Sequence, residues 1–402
     1  MVRVMAKRKK TRIKKKSFAF LLIFIIGIIV STIVFSYMKP VDKKEIKDEL
    51  KTSGDVIPLK EYKLSLVMVG DSLYHPPVYK DGYKNGKYDF TSQLSEIKPE
   101  IQKYDLAYYN QESILAGTTL KLSGYPQFNS PQEVGDAFID AGFNLVSLAN
   151  NHTMDKYEKG VKLSVEYWRK QKGVYWTGQA LSEQERTDNI KVEEKNGIKY
   201  AFLSYTTVTN GLLPPKGKEY LTNIYSEEKA KKDIALVKGK ADVILVAMHW
   251  GTEYQISGLA KEQKTISKFL ASQGVNIIIG AHPHVIQPAE FIGDTLVIYS
   301  LGNFISSQSN NYGAKEDEKL SGLMMSVDIV KTENPVTKES KIELVDPTAH
   351  FVYTYKKNLK NYKIYPYTKL NTNIFPRYKT QYEVLKKRMT SLDSRIKVES
   401  LG

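Results

Sequence analysis

The chain has 402 residues, of which 42% are hydrophobic and 26% are charged, so it can bury a large core and does not have a disordered composition. The formal net charge is +15, but nine of these positive charges lie before residue 17, so the basicity gives little support for nucleic-acid binding. Because the chain has no cysteine, disulfides, thiolate metal sites and cysteine nucleophiles are excluded. Any metal must be held by nitrogen and oxygen.

The N-terminus has the pattern of a membrane anchor. A basic segment, residues 1–16, precedes an apolar segment, residues 17–38, whose part "FAFLLIFIIGIIVSTIVFSYM" has no charge. A helix of roughly 20 apolar residues can cross a bilayer, and no small-residue cleavage site follows, so we expect an uncleaved single-pass helix. The positive-inside rule orients residues 1–16 to the cytoplasm. We therefore expect the protein in the cell membrane, with its main domain outside the cell.

After a polar linker, residues 39–62, short apolar runs alternate with amphipathic stretches through residues 63–345. This order predicts an α/β domain. The predicted strands are Leu64–Val69, Asp105–Tyr109, Phe143–Leu148, Ile198–Tyr205, Asp242–Met248, Val275–Ile279 and Leu296–Tyr299. The predicted helices lie near Gln132–Ala141, Tyr157–Gln171, Ser226–Leu236 and Lys261–Gln273.

Two further patterns refine this architecture. The pair Asn196-Gly197 lies between two strand-like runs and predicts a hairpin, so the β-structure should be mixed rather than purely parallel. Residues 346–402 form an extension rich in Lys and Tyr, which either packs on the domain or binds a partner or a polyanion. The alternating pattern at Phe351–Tyr355 favours packing of its first part.

Polar residues cluster at the ends of five predicted strands. In open α/β sheets, ligands bind beyond the carboxyl ends of the strands, so these side chains should lie close together. They are Asp71, Asn110, Glu112, Asn151, His152, His249, His282 and His284.

These side chains are the nitrogen and oxygen ligands that Mn, Fe or Zn takes, so we expect a divalent metal site with one or two ions. Two metals about 3.5–4 Å apart would clamp a phosphoryl group and activate water. His282 and His284, one residue apart around Pro283, could each reach a different metal. Taken singly, each residue has an ordinary alternative: Asp71 as a turn or cap residue, Asn151 as a cap, and His249 as a core histidine.

Six motifs in order, "MVGDS", "NQES", "LANNHTMDKYEKG", "MHWGTEY", "GAHPHVIQP" and "YSLGNF", lie between Leu64 and Ser306. They resemble the bacterial capsule-synthesis family of CapA and PgsA proteins, which is involved in poly-γ-glutamate production and is itself similar to the calcineurin-like metallophosphoesterases. The resemblance implies a metallophosphoesterase-like fold, a two-sheet sandwich of mixed β-structure flanked by helices. A membrane anchor and an extracellular location also match the family.

The resemblance also implies roles for individual residues. Two of them, Asp71 and His152, would act in catalysis, with His152 as the general acid beside the leaving oxygen. Glu112 would bridge two metals. The full set of implied metal ligands is Asp71, Glu112, Asn151, His249, His282 and His284.

One position departs from the wider phosphoesterase pattern. The first motif there reads Asp-x-His, whereas the third position here is Leu73, so the first metal loses an imidazole. His75 either replaces it or has a structural role. Three further residues are candidates for substrate binding, although Trp250 could simply pack and Asn303 could hold a turn. These candidates are Asn110, Trp250 and Asn303.

Three functions are therefore open. The first is a membrane-anchored extracellular protein of capsular polymer synthesis or export, with a phosphoesterase-like site that acts on a phosphate-containing substrate or an anionic polymer. The second is a non-catalytic accessory protein that binds the subunits of the polymer synthase. The third is a surface polyanion binder that uses the extension. None of them involves nucleic acid.

Overall fold

The computed structural model describes residues 58–308 and 312–401. The predicted basic segment, the predicted membrane anchor and most of the predicted linker lie outside these residues. Within the described ranges, no helix is long and apolar enough to cross a membrane. Residues from Leu59 onward form one compact unit.

The described residues form seventeen strands. In chain order they are β1 (Lys60–Ser72), β2 (Tyr83–Lys84), β3 (Lys87–Tyr88), β4 (Leu106–Gln111), β5 (Leu145–Ser147), β6 (Tyr175–Thr177), β7 (Val192–Lys195), β8 (Ile198–Thr206), β9 (Val243–His249), β10 (Ile277–Ala281), β11 (Ile286–Ile292), β12 (Thr295–Leu301), β13 (Asn303–Ile305), β14 (Ser321–Glu333), β15 (Ser340–Lys357), β16 (Lys360–Pro366) and β17 (Lys397–Val398).

Ten α-helices lie between these strands. They are α1 (Pro76–Asp81), α2 (Thr91–Leu94), α3 (Lys98–Ile101), α4 (Glu133–Ala141), α5 (Tyr157–Trp168), α6 (Glu183–Asp188), α7 (Glu227–Val237), α8 (Lys261–Ser272), α9 (Glu316–Leu320) and α10 (Tyr378–Met389). Two short 3-10 helices, Glu219–Leu221 and Tyr367–Lys369, complete the described structure.

The strands form two large mixed sheets and one small hairpin. The first sheet has the order β16-β15-β14-β1-β4-β5-β6, with β13 beside β1 and β17 beside β15. The second sheet has the order β11-β12-β10-β9-β8-β7. In each sheet the central strands that lead to the polar clusters are parallel, whereas the outer strands β14–β16, β7 and β11 are antiparallel to their neighbours.

The two sheets pack face to face because their central strands are apolar on both sides. In β1, Leu64, Leu66 and Met68 face the core between the sheets, where they join Phe202 and Leu245 of the second sheet. This follows from the period of two along a strand, which sends alternate side chains to opposite faces. The intervening residues of β1 face the outer layer instead.

Helices cover the outer faces of both sheets. Phe138 of α4 and Val165 of α5 belong to the apolar cluster on the outside of the first sheet. Ile234 of α7 and Leu270 of α8 belong to the cluster on the outside of the second. The expected two-sheet sandwich flanked by helices is therefore present.

The seven predicted strands and four predicted helices are all confirmed, with ends that differ by up to four residues. The hairpin is confirmed as well, since Asn196 and Gly197 have φ of 51° and 77° between antiparallel β7 and β8. The predicted boundary between residues 345 and 346 falls inside β15, at an irregularity in its pairing with β14 between Val345 and Thr348. The first part of the extension therefore packs as sheet structure, and β16 and α10 also add apolar side chains to the cores.

The chain passes from the second sheet to the first at Gly302, between β12 and β13. Gly302 has a φ of +65°, which favours glycine, and its carbonyl accepts a hydrogen bond of 2.9 Å from the Asp71 amide. A Cβ atom on Gly70 would lie 1.8 Å from that carbonyl oxygen. The close contact between the two sheets therefore requires glycine at position 70.

We expect Gly70→Ala to destabilise the fold by about 1–3 kcal/mol or more, because the methyl group would have to displace backbone rather than a flexible side chain. Gly86→Ala is the control for an alanine that meets no steric contact: Gly86 lies in the turn between β2 and β3 with φ of +80°, and a Cβ there would meet nothing within 4 Å. Its cost should be about 1 kcal/mol, from the left-handed backbone alone. Chemical denaturation measures both, and equal costs would contradict the close contact.

Candidate metal centre

The predicted site residues converge at the carboxyl ends of the central strands, where the two sheets meet. Asp71 ends β1, Glu112 follows β4, His249 ends β9, and His282 and His284 follow β10. All of them are nearly completely buried, with exposed fractions of at most 4%. Strand pairing explains the convergence, because β1 and β4 are parallel neighbours, as are β9 and β10.

Two groups of three potential metal ligands share one carboxylate. Glu112, His249 and His282 form one group, and Asp71, Glu112 and His284 form the other. Within each group the ligand atoms lie within 4.8 Å of one another. Glu112 belongs to both groups, which is the arrangement expected of a carboxylate that bridges two metals.

The carboxyl group of Glu112 fits a cation ligand. It is 0% exposed, and neither oxygen accepts a hydrogen bond from any residue that the structure describes. Its Oε1 atom lies 3.7 Å from Nε2 of His249 and 3.6 Å from Nε2 of His284. Burial raises its pKa well above the usual value. A buried carboxyl group without partners is costly, and a bound cation would remove that cost.

Two of the imidazoles are held in the neutral form. Burial lowers the pKa of His249 well below its usual value, and the neighbouring His282 and His284 lower it further. Burial also lowers the pKa of His282 to about 3. Both rings are therefore neutral at physiological pH, which is the form that binds metal.

His284 differs because it lies between the two carboxylates. Its Nδ1 atom is 3.2 Å from Oδ2 of Asp71. Burial opposes its protonation, but the negative charges of Glu112 and Asp71 outweigh burial and raise its pKa to about 9. The proton on His284 thus offsets part of the charge of the two buried carboxylates.

Asn110 and Asn151 lie beside the metal-ligand candidates. The Asn110 amide donates a 2.8 Å hydrogen bond to Oδ1 of Asp71, and the same nitrogen lies 3.3 Å from Nδ1 of His249. Oδ1 of Asn151 lies 2.9 Å from Nε2 of His249, next to the group of Glu112, His249 and His282. Asn110, predicted to bind substrate, therefore joins two candidate ligands.

His152 is set back from the metal groups and pairs with an acid. Its Nδ1 atom lies 2.7 Å from Oδ2 of Asp155, and Oδ1 of Asn150 accepts a 3.0 Å hydrogen bond from its amide. Sequence reasoning did not assign roles to Asp155 or Asn150. The signal was present, because Asp155 follows His152 by three residues, a spacing that lets the two side chains meet.

A cavity of about 480 Å³ contains both His152 and His284 in its wall. Tyr254 and Glu253 also line it, on the segment that follows His249. Tyr254 has a φ of 62°, and its ring centroid lies 5.9 Å from that of His284. Tyr254 therefore forms part of the wall of this cavity beside His284.

Two predicted substrate-binding residues do not face this cavity. Trp250 is 0% exposed, its indole donates a hydrogen bond to the carbonyl of Tyr299, and it packs in the outer core of the second sheet. Asn303 is also 0% exposed, and its Oδ1 atom lies 3.0 Å from Nδ1 of His284. The prediction for Trp250 is corrected to a core residue, and Asn303 positions a candidate ligand.

The position of Leu73 confirms that the third residue of the first motif supplies no ligand, since Leu73 is 1% exposed and apolar. His75 belongs to neither metal group of the described residues. Its Nδ1 atom accepts a 3.3 Å hydrogen bond from the Ser307 amide, and its ring packs edge-on against Phe128. His75 therefore has a structural role in the wall of the cavity.

We expect Glu112→Gln to lower metal content more than any other single substitution at the site, because both groups use this carboxylate. His282→Ala should remove a ligand of one group only. With metal supplied in excess, elemental mass spectrometry should find both equivalents reduced in the first variant and one in the second. His75→Ala is the control and should keep the metal content of the unchanged chain. Equal content in all variants would contradict the grouping.

The comparisons with known proteins agree with this picture. The family model of the bacterial capsule synthesis protein PGA_cap matches residues 65–308. The chain is 32% identical to the PGA biosynthesis protein CapA of Bacillus subtilis (strain 168) over 180 residues, which are 42% of this chain and 44% of that protein. It is 27% identical to the capsule biosynthesis protein CapA of Bacillus anthracis over 259 residues, 61% of this chain and 60% of that protein. The matches thus span about half the length of these relatives.

Solved structures are more distant. The calcineurin-like phosphoesterase YfkN from Bacillus subtilis has a TM-score of 0.42 at 12% identity, with 80% of this chain and 98% of that chain covered. The NAD nucleotidase NadN of Haemophilus influenzae has a TM-score of 0.40 at 13% identity, with 85% and 57% covered. At these TM-scores the two structures give no information about the roles of the site residues. The sequence match over residues 65–308 is sufficient by itself: the chain belongs to the bacterial capsule synthesis protein PGA_cap family.

Proposed function

We propose that this chain is a membrane-anchored, extracellular protein of capsular polymer synthesis or export, and that its buried site is a metal-dependent phosphoesterase. The observation that carries the catalytic part is Glu112, a buried carboxylate without hydrogen-bond partners that belongs to two groups of metal ligands. The names of the two relatives support the link to capsule and PGA biosynthesis.

The donor set suits two divalent ions of Mn, Fe or Zn, because it consists of imidazoles, carboxylates and an amide oxygen; His284 would give up its proton to bind an ion. Asp71, Glu112 and His284 would hold one ion, and Glu112, His249 and His282 the other, with Asn151 beside it. When bound, such ions supply Lewis acidity that polarises a phosphoryl oxygen and lowers the pKa of a water molecule. Because Leu73 contributes no ligand, the ion at Asp71 should bind more weakly.

In this proposal His152 delivers the proton that the leaving group needs. Hydrolysis of a phosphate ester forms a bond from water to phosphorus and breaks the bond to the leaving oxygen, which must be protonated. The contact of Nδ1 with Asp155 orients the ring and leaves Nε2 of His152 to donate that proton. The position of His152 in the cavity wall suits this role.

The cavity wall favours a substrate with one anionic group over a polyanion lying in the cleft. Among the described residues that line it there is no Lys or Arg, while Glu253 and Asp155 add negative charge. Its apolar lining includes Leu73, Phe128 and Leu212. A phosphate ester would place its charge at the metals and its organic part along these side chains.

The second candidate function is a non-catalytic accessory role beside the polymer synthase subunits. Leu73 favours it, because the first metal group has one imidazole fewer than the wider phosphoesterase motif. In that case the metal site would be structural, and His152 would contribute nothing to the output of polymer.

We expect His152→Asn to lower kcat for an alkyl phosphodiester, whose alkoxide leaving group needs a proton, by about 10²- to 10⁴-fold, the usual contribution of a positioned general acid. The metal content should stay unchanged, because His152 is in neither metal group. Asp155→Asn should give a smaller loss. Hydrolysis with Mn²⁺ supplied measures both variants.

The same variants separate the two candidate functions in cells. If His152→Asn and His284→Ala leave polymer output unchanged while the protein is still displayed at normal levels, the accessory role is correct and the catalytic proposal is wrong. A loss of output with normal display supports catalysis.

For the anchor, we expect the full chain to sediment with membranes and a chain of residues 45–402 to stay in the soluble fraction. The physical reason is the uncharged apolar stretch within residues 17–38, which is long enough to span a bilayer. Fractionation with an alkaline carbonate wash measures this. Equal partitioning of the two chains would contradict the anchor.

A further inference from the structure

The C-terminal helix α10 lies outside the family-matched residues 65–308, yet it reaches the loop that carries His284. Leu385 and Met389 bury one face of α10 in the core. Arg388 lies between these two residues in the sequence, and its side chain is only 10% exposed. It forms an ion pair with Glu318, whose side chain is 9% exposed. The Nη1 and Nη2 atoms of Arg388 donate hydrogen bonds of 2.6 and 3.0 Å to the Glu318 carboxylate.

Arg388 also contacts the first residue of β11, directly after the loop that carries His284. Its Nη1 atom donates a 3.2 Å hydrogen bond to the carbonyl of Ile286, two residues after His284. Arginine suits this double role because its planar guanidinium has several donors in fixed directions. One side chain therefore joins α10, α9 and the beginning of β11.

A second path runs from α9 to the ring of His284. Lys319 follows Glu318, and its backbone carbonyl accepts a 2.9 Å hydrogen bond from the Asn303 amide. The same amide nitrogen donates to the carbonyl of His284 at 3.3 Å, while Oδ1 of Asn303 lies 3.0 Å from Nδ1 of the ring. The Arg388–Glu318 pair is thus connected to the segment of His284 in two ways. Arg388 binds the carbonyl of Ile286, and Glu318 precedes Lys319, whose carbonyl binds the Asn303 side chain beside the His284 ring.

The loop needs such support because its backbone is strained. His282 and His284 have φ of 97° and 58°, backbone values that residues other than glycine rarely adopt. A strained conformation persists only where surrounding contacts impose it. The contacts from Asn303 and Arg388 act on this loop from two sides.

We propose that Arg388 is a positioning residue for His284, so that the C-terminal helix is part of the support of the metal centre. The proposal deepens the proposed function and rests on it for the metal readout alone. It also assigns a role to the part of the chain beyond the family match.

The test compares Arg388→Met with Arg186→Met in the purified full chain. Arg186 is a matched control, because its side chain is also 10% exposed and pairs with a buried carboxylate, Asp233 at 2.9 Å, in the outer layer of the second sheet. Both variants should lower Tm, since each removes the arginine partner of a buried carboxylate. Hydrogen exchange of a peptide covering residues 282–287, measured without metal, and Mn²⁺ affinity, measured by chelator competition, separate them.

We expect faster exchange at residues 282–287 and about 10- to 100-fold weaker Mn²⁺ binding in Arg388→Met alone, the usual effect of removing support from a ligand. Equal exchange and equal affinity in the two variants would overturn the proposal. If the unchanged chain binds no Mn²⁺, the proposed function fails, while exchange still decides this inference. If Arg388→Met does not fold, Arg388→Lys keeps the charge but cannot make all three hydrogen bonds, and it should show the same change to a smaller degree.

Discussion

The hydrogen bond from the Asp71 amide to the Gly302 carbonyl, 2.9 Å long, is the constraint on which the rest of the site depends. It joins the end of β1 in the first sheet to the crossing between β12 and β13. The two backbones can approach this closely only because position 70 has no side chain. The contact brings the strand ends of both sheets to one edge, and the ligands from β1 and β4 then meet those from β9 and β10.

Bringing these side chains together in a buried site has an electrostatic free-energy cost, and the protein compensates only part of it. Three imidazoles and two carboxylates are buried together, although burial disfavours charge on each of them. The structure responds by keeping His249 and His282 neutral and by holding a proton on His284 between the acids. Neither carboxylate oxygen of Glu112 accepts a hydrogen bond from a described residue, so much of the remaining free-energy cost of burial is concentrated on this side chain. Such concentrated cost is typical of a functional site rather than of a core.

The folding unit is larger than the region that carries the motifs. Strand β14 pairs with β1 along ten residues, from Lys60 to Val69, and β15 and β16 extend the same sheet. Thr354 of β15 donates a hydrogen bond to the carbonyl of Phe304, directly after the crossing. The C-terminal residues therefore stabilise the edge of the sheet next to the site, and they are not a separate tail.

The sequence by itself determined the central architecture. Apolar runs at β1, β8, β9 and β10 are long and strongly patterned, so local preference and burial agree there, and the polar residues that follow them could be recognised as one set. The prediction missed β13 and β17, which are too short to have a usable period, and it also missed the longer outer strands β11, β14 and β16. Only the tertiary structure decided that Trp250 packs in the core and that Arg388 contacts the segment after His284. These contacts depend on which face of a strand is covered and on residues a hundred positions apart, and neither is encoded in a local pattern.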